Sequence, residues 1–456
     1  MLHRQPLLGQ PIFIRNNMKF TTDYKLENFI IDTKWESLPK EVQNRMKGCF
    51  IDLVGALVSG SISPQFKVGL KMAETMFGSG DIAVIGSDKK FNFAGAATAM
   101  GHSSNAYDID DGHNMTRAHP GTSFVGAVLS AAYEKDVDLK EFLTAMLVAY
   151  EVTIRSGAAI MDYYKYAHSS GTFGAIGSAV GVGKLYGFTK EQFNNVMSVA
   201  EFNAPLVPGI RSVEYPSMNK DGVPFGVMIG VLALVDSMCG FEGNKNLLEA
   251  EEYKHYLDDL GKKYQVMDLY FKPYPCCRWA HPAIDAVVEI LENEGADYTD
   301  VEKVCIKTFE RATLLSKIHP KTPDEAQYNI AYPVASALVY KDFGIERVLE
   351  ENLSDKTVLD MMAKLSFEVD AELDKAFPAK RMCRAEITFK NGKVVTSAPK
   401  EPRGEAKDNV GIDWLSDKFY RITAPILSKE KQQKILSLIL GDENVKIRTI
   451  VDYINE

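Results

Sequence analysis

Between Gly101 and Ser123 the chain reads GHSSNAYDIDDGHNMTRAHPGTS. Asp108, Asp110 and Asp111 fall within four positions, and three of the chain's eight histidines, His102, His113 and His119, share the stretch. Carboxylates this close cannot all lose their water while charged unless they gain partners, because desolvation is costly and like charges raise each other's pKa. Carboxylate beside imidazole can act as a general acid–base pair or as metal ligands. The metal readings fit poorly. An EF-hand loop counted from Asp108 needs glycine sixth and glutamate twelfth, whereas Gly112 comes fifth and His119 twelfth. His113 and His119 lack the four-residue spacing of a zinc-binding helix. The run before the stretch, FAGAATAM, is small and apolar, which suits a loop carried on a rigid scaffold. The expectation is acid–base chemistry with no metal.

Three further groups carry chemistry. His168 precedes Ser169, Ser170, Gly171 and Thr172, ahead of a glycine-rich helix. Free N–H groups at a helix start favour an anionic ligand, although a serine cap explains the same residues. The following GVGKLYG lacks the spacing of a phosphate loop, and close helix–helix approach accounts for its glycines. Lys220, Lys272, Arg278 and His281 form the second group. Lys272 lies among aromatic residues in YFKPYP, where desolvation would lower its pKa. Arg278 offers a planar fork for a carboxylate. Finally, Tyr328 and Tyr332 are four apart, on one face of an expected helix over residues 326–340, where packing is the default.

These residues need a scaffold, and its outline is legible. A chain of 456 residues exceeds a single core, so two domains are expected. Hydrophobic content of 46% and charged content of 25% suit a globular protein. A net charge of −9 argues against a nucleic-acid partner. Six cysteines without a C-x-x-C pair read as reduced thiols in a cytoplasmic protein. No apolar run approaches the ~20 residues of a membrane span, so no membrane partner is expected. Residues 1–17 read as a flexible extension. Helical periodicity predicts helices over 38–60, 65–77, 122–133, 139–161, 169–186, 189–202 and 223–239, the last apolar nearly all round and therefore buried, and a surface helix over 247–264. From Lys272 the texture changes. Residues 301–309 alternate as a strand, and two β-prone runs flank Asn391-Gly392 as a hairpin. Helices return over 413–422 and 429–440. The expected division is a helical segment 18–272, a smaller α+β domain 273–408 and a helical return 409–456.

The Asp-x-Asp-Asp…His-Pro-Gly stretch, His168 with Ser-Ser-Gly-Thr-Phe-Gly-Ala, and KPYPCCRWAHPAID together resemble the MmgE/PrpD family, over about residues 38–440. That family contains 2-methylcitrate dehydratase, cis-aconitate decarboxylase and iminodisuccinate epimerase. The resemblance implies a mainly α fold, with a large all-helical domain built from both chain ends and a smaller α+β lid domain. It also implies a site between them, a homodimer and no cofactor. Carried over by position, it implies site roles for Asp108, His119, His168, Lys220, Lys272 and Tyr332. The chain departs from the decarboxylase pattern at Gly112, where a threonine would stand, by one extra residue before His119-Pro120, and in the DGVPFG that follows Lys220.

The expected chemistry is proton transfer beside a carboxylate of a small anionic di- or tricarboxylate. A base must reach the proton while cations hold the anionic groups. His119 and His168 are the expected acid and base. Lys272, Arg278 and Lys220 would hold carboxylates, with His113 and Thr172 as further substrate contacts. Asp108 would orient a histidine, and Tyr332 would donate to a carboxylate or a leaving hydroxyl. Dehydration is the leading reaction, with epimerisation and decarboxylation as alternatives. A metal-assisted hydrolase and a non-catalytic carboxylate-binding protein are the competing classes.

Overall fold

A computed structural model describes residues 18–166 and 169–456, so residues 1–17 and His168 lie outside the described residues. The chain is mainly α-helical. It opens with α1 (Lys25–Asp32), α2 (Lys40–Gly60) and α3 (Pro64–Met76), then a β1/β2 ribbon (Ser79–Ala83 and Lys90–Phe91) and α4 (Phe93–Ser104). A two-residue strand, β3 (Gly112–His113), precedes α5 (Thr122–Lys135), α6 (Leu139–Tyr164), α7 (Ser170–Tyr186), α8 (Lys190–Asn203), α9 (Ile210–Glu214) and α10 (Val223–Met238). Local chemistry sets several of these starts. Ser63 accepts from the Phe66 N–H ahead of Pro64, and Asp138–Glu141 and Thr189–Gln192 form reciprocal capping boxes. Helix α6 is long and apolar enough to cross a membrane, contrary to the expectation from apolar runs, and its apolar window is packed wholly inside the protein.

After β4 (Leu269–Tyr270) the chain becomes α+β. Its elements are α11 (His281–Glu294), β5 (Val301–Thr308), α12 (Pro323–Gln327), α13 (Ala331–Tyr340), α14 (Lys356–Met362), β6 (Leu365–Val369), α15 (Ala371–Ala376), β7 (Cys383–Phe389) and β8 (Val394–Thr396). Strands β5 to β8 form one sheet in the order β6-β5-β7-β8, with β5 and β6 parallel and the other pairs antiparallel. Gly392, at φ 83°, takes the left-handed corner of the β7–β8 hairpin. Helices α16 (Ile412–Thr423), α17 (Lys429–Leu440) and α18 (Ile447–Asn455) end the chain.

Three buried clusters hold the fold. One joins Phe50, Leu53 and Phe142 to Leu415, Phe419 and Ile450, so the last helices complete the core begun by the first. A second runs through α11, α13 and the sheet, including Ile284, Val304, Val334 and Ile387. The third packs α7, α8 and α10 through Val180, Met197 and Val231. The glycines of α7 have the expected use. A Cβ on Gly171 would stand 2.1 Å from the Gly222 carbonyl oxygen, and one on Gly226 would stand 2.4 Å from that of Gly171.

Three expectations fail for identifiable reasons. Residues 247–264 are not a helix but short 3-10 turns, with Leu247, Leu248 and Leu257 buried as separate anchors. Helix α10 is not buried all round: Phe225, Leu232, Val235 and Met238 are exposed, because only its glycine side meets α7. The helix expected over 326–340 is broken between α12 and α13. Pro333 has no N–H for the Asn329 carbonyl and its ring crowds that carbonyl, so α13 begins afresh at Ala331. The Asn329 side chain accepts from the Tyr332 N–H at 2.8 Å and caps the new start.

Candidate active site

The connection between α4 and α5 carries the acid–base residues. Asp108 has a left-handed backbone, φ 50°, unusual without glycine and a sign of local constraint. Its Oδ1 lies 3.3 Å from His119 Nε2 and 2.6 Å from Lys272 Nζ. Lys272 arrives through pairing of β3 with β4, Gly112 opposite Tyr270, which brings the KPYP segment against the loop. On the other edge of the imidazole, Nδ1 lies 2.8 Å from the Asp111 carbonyl oxygen and 3.0 Å from Asp110 Oδ2. Asp110 also accepts from Asn105 Nδ2 at 2.9 Å and Thr122 Oγ1 at 2.7 Å. Asp111 turns inward, accepting from the Gly121 N–H at 3.0 Å and from the Tyr150 hydroxyl.

This arrangement separates the roles of three neighbouring carboxylates. Burial raises Asp110, but the charge and hydrogen bond of His119, with Lys272 and Thr122, outweigh it and hold Asp110 below the usual carboxylate range. Burial, then the charge of Asp52, pushes Asp111 up to about 7. Burial disfavours the charged imidazole of His119, yet Asp110 and Asp108 together outweigh it and lift its pKa well above the ordinary value. Both ring nitrogens of His119 face oxygens, Nδ1 those of Asp110 and Asp111 and Nε2 that of Asp108, a setting that favours the imidazolium, a proton donor held in place by carboxylates. Lys272 behaves opposite to the sequence expectation. Desolvation would lower it, but Asp108 and Asp110 reverse the direction and keep it charged.

Asp108, His119 and Lys272 open onto a cavity of about 490 Å³. Its walls carry Arg117, Lys165, Arg278, Arg311 and Arg381 besides Lys272, against the acids Asp108 and Asp221. Arg278 stacks over the Tyr270 ring at 3.6 Å and pairs with Glu405 at 3.0 Å. Arg381 donates to the neutral Asn114 Oδ1 at 3.3 Å. Burial, then the charge of Arg278, pulls Arg381 down to about 10, the mark of positive charge crowded in a poorly hydrated place. Such a wall favours a ligand with more than one carboxylate. Asp221 sits across from His119 and accepts from the Tyr328 hydroxyl at 3.1 Å. Ligand atoms of Asp108, His119 and Asp221 lie within 4.8 Å of one another, close enough for an ion. The Lys272 ammonium already supplies a cation at Asp108, so the three are read as a proton network rather than as ligands.

Of the residues singled out in the sequence, Asp108, His119, Lys272, Arg278 and Tyr328 line one cavity. Four others lie off it. The Tyr332 hydroxyl donates to the Arg347 and Asn352 carbonyls at 2.8 and 3.2 Å inside the second core, because the break before α13 turns it away. His113 is buried, and burial lowers it to about 4, with its Nδ1 accepting from the Met115 N–H. Thr172 donates to the Pro205 carbonyl at 2.5 Å. Lys220 stands outside the cavity lining, donating to the Ala106 carbonyl and pairing with Asp324 at 3.1 Å. His113, Thr172, Lys220 and Tyr332, expected as substrate contacts and a donor, thus stand outside the lining of this cavity. Asp221 and Arg381 carry no signal of their own in the sequence, and Tyr328 carries only the spacing of a packed residue. Asp221 follows Lys220 in a polar turn, and nothing local marks Arg381.

The comparisons with known proteins agree with this arrangement of helical shell and α+β segment. Residues 24–261 match the MmgE/PrpD N-terminal domain and residues 274–443 the MmgE/PrpD C-terminal domain. A cis-aconitate decarboxylase-like protein of Aspergillus oryzae is 22% identical, covering 92% of this chain and 94% of its own length. A cis-aconitate decarboxylase of Aspergillus terreus is likewise 22% identical, over 92% of this chain and 93% of its own. Two matched domains that meet at the segment carrying Lys272, with relatives similar from end to end, leave one conclusion: the chain belongs to the MmgE/PrpD family.

Proposed function

We propose that the protein is a cofactor-independent lyase that moves protons beside a carboxylate of a small di- or tricarboxylate. The observation that carries the reading is His119, flanked by Asp108 and Asp110 so that its protonated form is favoured, at the edge of a cavity with cationic walls. Carboxylates of the substrate would meet Arg278, Arg381 and Lys272. These cations would also stabilise the enolate-like charge that develops when the neighbouring C–H bond ionises. Within this class dehydration is the proposed reaction. Hydroxide is a poor leaving group, and a donor kept protonated at neutral pH is what its departure needs. Decarboxylation is the second reading, favoured by the names of the relatives. Carbon dioxide leaves without a proton, and His119 would then protonate the resulting carbanion.

Proton NMR in D2O tests the proposal, using citrate, 2-methylcitrate, cis-aconitate and iminodisuccinate, with and without chelator. The expected result is conversion of at least one of them, deuterium next to a carboxylate, and indifference to chelator. Loss of turnover on chelation would support metal-assisted chemistry instead, and inertness toward the whole panel would sink the lyase reading.

A further inference from the structure

The acid–base reading names a proton donor and leaves open which group removes the proton. Three of the carboxylates around His119 are unsuited to that task. Asp108 is paired with Lys272 at 2.6 Å, and Asp110 is held by His119, Asn105 and Thr122. Asp111 faces Tyr150 and Gly121, away from the cavity. Asp221 differs. It lines the cavity, and its side-chain hydrogen-bond partner among the described residues is the neutral phenol of Tyr328.

The chain holds Asp221 in place with unusual care. Lys220, one residue earlier, has a left-handed backbone at φ 35°, which a side-chain-bearing residue adopts only under constraint. Its ammonium is buried and donates to the Ala106 carbonyl and to that of Asn105 at 3.3 Å. The Lys220 carbonyl accepts from Ser212 Oγ at 2.5 Å, and the Asp221 carbonyl accepts from the Gly171 N–H at 2.8 Å. Lys220 thus ties the turn before α10 to the α4–α5 loop, the element that carries Asp108 and His119.

We infer that Asp221 is the catalytic base and that Tyr328 is its positioning residue. The inference rests on the lyase reading above. In a dehydration the Asp221 carboxylate takes the proton from the carbon beside the substrate carboxylate. The C–H pair becomes the new C=C bond as the β C–O bond breaks, and the hydroxyl leaves as water with the His119 Nε2 proton. A solvent water then carries the proton from Asp221 back to His119, which restores both groups. Burial strengthens the base by raising Asp221, while the charge of His119 pulls it back. The other groups facing it are Asp108 and Asp110, which raise it, the Tyr328 hydroxyl, which lowers it, and the Cys277 thiol on the cavity wall. Lys272 stands behind Asp108.

The test uses the full chain and whichever panel compound the wild type converts. Asp221→Asn should lower kcat at least 100-fold, with KM within threefold and an unchanged melting temperature. Tyr328→Phe should keep turnover within tenfold but move the acidic limb of the kcat profile to higher pH, because loss of its hydrogen bond raises the Asp221 pKa and the base ionises later. Wild-type-like turnover by Asp221→Asn overturns the inference while leaving the lyase reading intact. Inertness of the wild type toward every compound overturns both together. Should Asp221→Asn fail to fold, Tyr328→Phe decides, and an unmoved acidic limb overturns the inference.

Discussion

At the scale of single residues the site is a charge-sorting device. His119 touches Asp108 on one edge and Asp110 on the other, so its positive charge is matched before any ligand arrives. The raised pKa also makes stability depend on pH. Between the unfolded pKa of about 6.5 and the higher folded value, the native state binds more protons than the unfolded one. The stabilisation from His119 is therefore complete below about pH 6.5 and declines as pH rises through the folded value. Comparing wild type with His119→Asn by urea denaturation should give a stability difference that is largest in acid and shrinks toward alkaline pH. A difference that grows with pH would contradict the assigned ion pairs.

At the scale of elements, two backbone devices position the side chains. Gly226 and Gly230 let α10 lie backbone to backbone against α7, which sets the start of α10 and the Asp221 turn before it. A Cβ on Gly226 would come within 2.4 Å of the Gly171 carbonyl oxygen and force the helices apart. Gly226→Ala should cost about 1–3 kcal/mol by overpacking, read as a lower Tm, and should reduce turnover as the turn moves. An unchanged Tm would mean that the crossing is looser than described. The second device is the break between α12 and α13. It sends Tyr328 to the cavity and Tyr332 into the core, although four-residue spacing would place both on one face of an unbroken helix.

At the scale of the whole molecule the chain closes on itself at the site. Lys418 of α16 pairs with Asp52 of α2 at 2.5 Å and donates to the Ile109 carbonyl at the same distance. Both side chains are buried, so one contact joins the first core helices, the last ones and the loop between Asp108 and Asp110. Lys418→Met would strand Asp52 without its partner, and removing one member of a buried pair costs about 3–5 kcal/mol. Chemical denaturation should register that loss, and turnover should fall through displacement of the Ile109 carbonyl. A variant as stable and active as the wild type would show that this contact is dispensable.

Much of this was legible in the sequence, because it depends on near neighbours. Helical periodicity, the Asn-Gly hairpin and the mainly α class follow from local backbone and side-chain preferences. Asp108 and His119 stood out because they are close in sequence. The cavity wall did not. Asp221, Tyr328 and Arg381 come from three distant segments, and each has an ordinary local setting: an aspartate in a polar turn, a tyrosine near a helix and an arginine before a strand. What makes them a site is the packing that brings them to one cavity, and the burial there that shifts Asp221 and Arg381 from their solution chemistry. The local sequence determined most of the helices, the hairpin and the acid–base residues on offer. The tertiary structure alone decided which of them share a desolvated space, because desolvation and charge proximity depend on distances that only long-range packing sets.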